Sequence, residues 1–160
     1  MDINIELLIV AKLFVSFLLG GFIGYDRERH GRDAGIRTYA AVCIGATLYT
    51  SIGSHLPDAG SASRIIANIV VGIGFLGAGI IYRTNSSKGS YGLTTAATIW
   101  GTAAIGVATG LGMFVIAVVG SCALYFLLSL HHQKWYVKWK KRLSGNLSGK
   151  DNDEVHSGTD

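Results

Sequence analysis

The feature that most constrains this chain is a long stretch without formal charge, because residues 89–130 contain no Asp, Glu, Lys or Arg. At roughly 20 residues per crossing, this stretch is long enough to span a bilayer twice. A soluble core helix has no need of such a run, whereas a membrane hairpin does. Only 15% of the residues are charged, against about a quarter in soluble domains. We therefore expect an all-α integral membrane protein.

The other apolar segments extend this prediction to a bundle of about five transmembrane helices. The segments lie at 5–25, 36–54, 64–82, 92–109 and 111–130. If the N-terminus is outside, the inside segments hold nearly all the Lys and Arg residues, and the outside loops hold only Arg64. Because Lys and Arg are retained on the cytoplasmic side during insertion, the predicted orientation is N-out, C-in. The expected location is the bacterial cytoplasmic (inner) membrane, crossed several times.

This prediction divides the chain into three regions. Residues 1–130 are the predicted transmembrane domain, 131–143 a basic aromatic segment at the membrane interface, and 144–160 a disordered cytoplasmic tail. The interfacial segment is interpreted as an anchor in the lipid bilayer, and lipid-regulated docking is the alternative.

Several functional classes are disfavoured by the sequence. The net charge of +4 could indicate nucleic-acid binding, but the basic residues sit in short segments between apolar spans, as membrane insertion requires. No nucleophile–base pair or metal-ligand cluster is evident, and the histidines all fall in predicted loops or the tail. We expect no nucleic-acid partner, no enzyme activity, no cofactor and no defined metal site.

Glycines within the spans predict close contacts between helices. Residues 72–77 (GIGFLG) match the GxGxxG pattern of dinucleotide sites, but that pattern requires a strand before it and a helix opening at the glycines. In the middle of an apolar span, small residues instead let helix backbones approach each other. The predicted helix-packing glycines are Gly20, Gly24, Gly72, Gly74, Gly77 and Gly79.

The first predicted cytoplasmic loop, from Asp26 to Arg37, is densely charged. A solvated positive-inside loop explains its basic residues, but Asp26 and Glu28 contribute little to orientation. These acids could pair with neighbouring arginines. The candidate functional polar cluster on the cytoplasmic side is Asp26, Arg27, Glu28, Arg29, Arg37 and Thr94.

A second candidate cluster lies in the outer half of the bundle. Lys12 is within the first span and shares a helix face with Ser16 and Gly20, so it could point into the bundle or snorkel outward. With the N-terminus outside, Asn68 lies at a similar depth, one turn from Arg64. We expect Lys12, Arg64 and Asn68 to converge, since intramembrane polar groups are functional candidates. Thr98 and Thr102 form a polar stripe on the fourth span that helix–helix hydrogen bonding also explains.

Three segments in this order resemble the MgtC/SapB family of bacterial inner-membrane proteins. Residues 20–29 (GGFIGYDRER) with 34–38 (AGIRT) resemble GxxxGxERE…AGLRT. Residues 63–81 (SRIIANIVVGIGFLGAGII) resemble SRIAxQVVxGIGFLGAGVI, and 92–100 (GLTTAATIW) resemble GLTTAATLW. Asp26 stands where the family usually has Glu, and Asn68 where it has Gln. Larger relatives carry a C-terminal cytoplasmic domain, so the resemblance is to a short form.

The resemblance implies a role in magnesium or proton homeostasis and in adaptation to stress or low magnesium, within a virulence-associated family. Two mechanisms stay open. The first is regulation through contacts with other membrane proteins, favoured because no Asp or Glu lies mid-membrane. The second is a transporter or channel for Mg²⁺ or another small solute. The glycine-rich helix faces also predict a homodimer.

Overall fold

The computed structural model describes residues 3–58, 60–84 and 91–129, and the regular structure in these residues is α-helical. The helices are α1 (Ile3–Arg29), α2 (Ile36–Ser54), α3 (Ser61–Thr84), α4 (Tyr91–Gly110) and α5 (Phe114–Ser129). Each helix coincides, within a few residues, with one predicted apolar segment, which confirms the all-α fold class. The predicted interfacial segment at 131–143 and the predicted tail at 144–160 lie outside the described residues.

Two of the helices meet the requirements for crossing a bilayer by length and composition alone. They are α1 and α3, whereas α5 is a shorter apolar helix. Helices α2 and α4 carry buried Thr and Ser residues, and hydroxyl groups make a helix less apolar. The number of crossings and the N-out orientation therefore stay predictions.

The described residues up to Tyr125 form one compact unit. Within it, α2 packs against α4, and α1 and α3 each pack against both of them. Glycine permits the closest of these approaches. A Cβ added at Gly20 would lie 2.7 Å from the Tyr39 carbonyl oxygen, and one at Gly110 would lie 2.7 Å from the Thr50 Cβ. The backbones of α1 and α4 can therefore lie directly against α2.

Two glycines with positive φ end the helices on which the site depends. Gly31 (φ 63°) follows α1, and Gly112 (φ 79°) follows α4. After α4, the Met113 N–H donates to the Ala108 carbonyl oxygen at 2.8 Å, which is the long hydrogen bond of a Schellman turn. Because this turn is so short, α5 begins almost at once, at Phe114.

Candidate functional site

Arg27 occupies a buried position near the C-terminal end of α1. The residue is 6% exposed, and its Nη2 donates to the Thr95 Oγ1 of α4 at 2.5 Å. Its Nε is buried without a hydrogen-bond partner among the described residues. The hydrogen bond to Thr95 links α1 to α4. Burying a guanidinium with one hydroxyl acceptor costs free energy unless its other N–H groups are also satisfied.

The acidic residue beside it is buried as well. Asp26 is 7% exposed, and its Oδ1 lies 3.5 Å from the His30 Nδ1. The same ring nitrogen lies 2.6 Å from the Asp26 carbonyl oxygen. His30 follows Asp26 by one helical turn, a spacing that places two side chains on the same helix face. His30 is a loop histidine by sequence prediction, and the pair with Asp26 was not predicted.

The remaining predicted members of this cluster have other surroundings. Glu28 is exposed, and its Oε2 accepts from the Ile36 backbone N–H at 2.9 Å. A carboxylate at this position satisfies a free amide at the N-terminus of α2 and interacts favourably with the helix dipole. Arg29 and Arg37 are exposed. Asp26 thus contacts His30, and Glu28 contacts the N-terminus of α2. Pairing with the neighbouring arginines, which the sequence left possible, is not seen among the described residues.

The threonine that contacts Arg27 is Thr95, one residue after the predicted Thr94. The Thr94 side chain is exposed, whereas Thr95 meets Arg27. Successive residues of an α-helix are rotated by about 100°, so Thr94 lies on a different side of α4 from the residue that contacts Arg27.

Further along α4, the predicted polar stripe faces α2. Thr98 and Thr102 are 3% and 0% exposed. The Thr98 Oγ1 lies 2.6 Å from the Tyr39 hydroxyl oxygen, and the Thr102 Oγ1 donates to the Thr98 carbonyl oxygen at 2.8 Å. On the other side of the interface, Thr47 donates to the Gly106 carbonyl oxygen at 2.9 Å. Tyr39 and Thr47 were not predicted, because one helix's spacing does not identify its partner.

Lys12 points into the bundle. The residue is 7% exposed, and its Nζ donates to the Gly110 carbonyl oxygen at 2.7 Å. Gly110 is the last residue of α4, where the carbonyl groups lack partners within the helix and the dipole favours a cation. The Ser51 hydroxyl also donates to this oxygen, at 3.4 Å. Of the two interpretations of Lys12, the inward one fits the structure.

The predicted convergence of Lys12, Arg64 and Asn68 does not occur. Arg64 is exposed and forms an ion pair with Asp58 in the α2–α3 loop. The Arg64 guanidinium holds the pKa of the Asp58 carboxyl below its usual value. Asn68 is exposed on α3 and lines a groove of about 500 Å³ between α2 and α3. The three residues have separate surroundings because Lys12 is bound to the end of α4, whereas Arg64, near the start of α3, pairs with Asp58 in the preceding loop.

The predicted helix-packing glycines fall into two groups. Gly20 and Gly24 lie directly against α2, and a Cβ at Gly24 would be 2.6 Å from the Ile36 Cα. Gly77 faces α4, with its added Cβ 3.5 Å from the Ala96 Cβ. The other three do not pack against the described part of the chain, where an added Cβ would meet no atom within 4 Å; they are Gly72, Gly74 and Gly79.

Comparisons with known proteins agree on one family. The model of the MgtC family matches residues 13–134. The protein MgtC of Brucella abortus (strain 2308) is 44% identical over 111 residues, which cover 69% of this chain and 46% of that protein. The protein SrpB of Synechococcus elongatus is 34% identical over 143 residues, covering 82% of this chain and 79% of SrpB.

A third relative has a name that refers to an ion. The "Putative magnesium transporter YhiD" of Escherichia coli (strain K12) is 36% identical over 132 residues, covering 78% of this chain and 60% of that protein. The chain spans about half the length of the Brucella relatives that it matches, since the match covers 46% of them. No solved structure matches the chain.

Proposed function

Because the chain belongs to the MgtC family, we propose that it is a multi-pass protein of the bacterial inner membrane that regulates magnesium and proton homeostasis. It does so through contacts with other membrane proteins, and its role is greatest at low magnesium or under stress. The name of the relative YhiD supports the connection to magnesium. The cluster of basic residues at the α1–α2 turn supports a cytoplasmic position for that turn.

The environment of Lys12 is the observation that favours a regulatory function rather than Mg²⁺ transport. Lys12 is 7% exposed, and its ammonium nitrogen lies 2.7 Å from the Gly110 carbonyl oxygen at the end of α4. A fixed positive charge within the bundle repels a divalent cation, and the repulsion is stronger where the dielectric constant is low. It also occupies carbonyl oxygen that a passing ion could otherwise use.

The centre of the bundle supports the same conclusion. The Thr47 hydroxyl donates to the Gly106 carbonyl oxygen, and the hydroxyls of Tyr39 and Thr98 bind each other. These groups hold α2 and α4 together, as polar side chains do in membrane helix bundles. Mg²⁺ dehydrates reluctantly and prefers carboxylate and water ligands in octahedral geometry. An interface of mutually bonded hydroxyls is better suited to a fixed scaffold that presents its surfaces to other proteins.

Transport of Mg²⁺ or another small solute is the second candidate, and Asp26 is the observation that favours it. The Asp26 side chain is 9% exposed near the end of α1, and its carboxylate is a suitable Mg²⁺ ligand by chemistry. If transport is the function, Asp26 should bind the ion at the cytoplasmic mouth.

Flux through the purified, reconstituted chain separates the two candidates. We expect no saturable Mg²⁺ flux from wild-type protein whose helical circular dichroism shows it to be folded. Saturable flux that Asp26→Asn abolishes would overturn the regulatory proposal. Asp33→Asn is the matched control, because Asp33 is an exposed acid in the same loop.

Growth at limiting Mg²⁺ tests the regulatory role directly, in a strain whose own copy is deleted. Wild-type chain and Arg29→Met, which alters an exposed arginine, should restore growth. Arg27→Met should not, because it removes the buried link between α1 and α4. If the wild-type chain restores nothing and also conducts nothing, the proposed role in magnesium homeostasis is wrong.

A further inference from the structure

Helix α3 is the least buried long helix of the described chain. In the apolar 18-residue stretch of α3, 6% of the residues are buried, against 33% in the corresponding stretch of α1. Several large side chains are almost fully exposed, including Phe75 and Tyr82 at 85% and Val71 at 71%. Apolar exposure suits a helix that faces lipid, so it does not by itself indicate a partner.

The order of residues along the exposed surface of α3 is more specific. Five exposed positions are separated by four, three, four and three residues, and they are Asn68, Gly72, Phe75, Gly79 and Tyr82. This alternation places the five residues along one seam, as in the contact line of two helices that wrap around each other. Small and aromatic residues alternate along it.

Asn68 makes lipid an unfavourable neighbour for this face of α3. It is exposed within a helix that is long and apolar enough to cross a bilayer, and its side chain has no hydrogen bond within the described residues. Hydrocarbon offers neither a donor nor an acceptor, so an amide left there is costly. A second asparagine satisfies the amide completely, because each amide group is both a donor and an acceptor.

The glycines of the seam provide the space for a second helix. Among residues 3–58, 60–84 and 91–129, a Cβ added at Gly72 or Gly79 would meet no atom within 4 Å, and the same is true of Gly45 on α2. Gly45, Asn68 and Gly72 all line the groove of about 500 Å³ between α2 and α3. Small residues at such a surface let the backbone of a neighbouring helix approach closely.

We propose that two copies of this chain associate in parallel through α3, with Asn68 of each copy bonded to the other and Phe75 of each seated over the glycines beside it. The seam is self-complementary, as a two-fold interface must be. An asparagine pair would also fix the register, as a single buried asparagine does in coiled coils. The proposal rests on the membrane placement proposed above, but not on any role of the protein in magnesium homeostasis.

Cysteine crosslinking in native membranes tests the seam. In full-length chain carrying Cys122→Ala, Gly72→Cys should give a disulfide-linked dimer when an oxidant is added. Gly74→Cys is the matched control, because Gly74 also has no atom within 4 Å of an added Cβ but lies on another side of α3. Equal crosslinking at both positions, or none at Gly72→Cys in protein present at wild-type level, would overturn the proposal.

A second measurement avoids any change at glycine. In lipid bilayers, Asn68→Leu should lower the dimer association constant by roughly three- to thirtyfold, the range expected when an interhelical hydrogen bond is lost, and Asn68→Gln should restore most of it. Monomers in the wild type would mean that lipid covers this face, and a dimer insensitive to Asn68→Leu would mean that another face is used. Either result overturns the proposal, and neither depends on the outcome of the flux or growth tests.

Discussion

Glycine occurs both at the α2–α4 interface and on the outer face of α3, but its surroundings differ completely. At the interface, a Cβ added at Gly106 would collide with the Cys43 carbonyl oxygen and lie 2.7 Å from the Ala46 Cβ. On α3, a Cβ added at Gly74 would meet nothing within 4 Å. The same residue type therefore holds two helices together in one region and leaves a surface open in the other.

Polar side chains show the same contrast. At the α2–α4 interface, the Thr47 hydroxyl is fully buried and donates to the Gly106 carbonyl oxygen at 2.9 Å. On α3, Asn68 is exposed in the α2–α3 groove. A satisfied buried polar group specifies one arrangement of its neighbours, whereas an unsatisfied one in an apolar environment favours association. The first region thus fixes the fold of the chain, and the second is available for contacts between chains.

The largest effect on stability should come from adding a side chain at Gly106, where the backbones of α2 and α4 are in direct contact. Gly106→Leu forces a side chain against the backbone of α2, so the helices must separate. We expect the free energy of unfolding to fall by about 3 kcal/mol, at the upper end of the usual cost of overpacking. The measurement is thermal unfolding in detergent followed by circular dichroism.

Gly74→Leu is the control for that comparison. It adds the same side chain to an open surface, and leucine is a better helix former than glycine, so stability should be unchanged or slightly higher. Equal destabilisation by the two substitutions would show that glycines on α3 are packed as tightly as those at the interface.

An intermediate effect on stability is expected at Lys12 of α1, whose ammonium group contacts the C-terminal end of α4. Lys12→Met keeps the length of the side chain but removes the ammonium that binds the Gly110 carbonyl oxygen at 2.7 Å. Stability should fall by about 2 kcal/mol, because a buried acceptor loses a charged donor. Ser51→Ala, which removes the 3.4 Å bond to the same oxygen, should cost less. If the order of these two losses is reversed, the role assigned to Lys12 is wrong.

The helices could be predicted from the sequence because apolar segments and charged turns alternate along it. The contacts could not, since they join distant residues: Lys12 and Gly110 are 98 positions apart. The small residues on the Lys12 face favour an inward side chain without excluding an outward one, and nothing local identifies the end of α4 as its partner. Likewise, the spacing of Gly72 and Gly79 indicates a seam without indicating whether it faces this chain or another.

At the start of α4, the sequence does not identify which of two adjacent residues contacts another helix. Adjacent threonines at the start of α4 differ in their surroundings, because Thr94 is exposed and Thr95 accepts a hydrogen bond from Arg27 at 2.5 Å. The sequence places both near the charged turn but cannot fix the rotation of α4 to within about 100°. The position of Arg27 decides which hydroxyl is used.

The smallest expected effect tests that assignment. Thr95→Val keeps the shape of the side chain and removes the acceptor for Arg27, which should lower the free energy of unfolding by about 1.5 kcal/mol, the lower end of the range for a hydrogen bond to a charged group. Thr94→Val changes an exposed side chain and should leave the unfolding temperature unchanged. Thermal unfolding of both variants in the same detergent provides the comparison. Equal effects would mean that Arg27 exchanges between the two hydroxyls, and that the α1–α4 contact is looser than the α2–α4 interface.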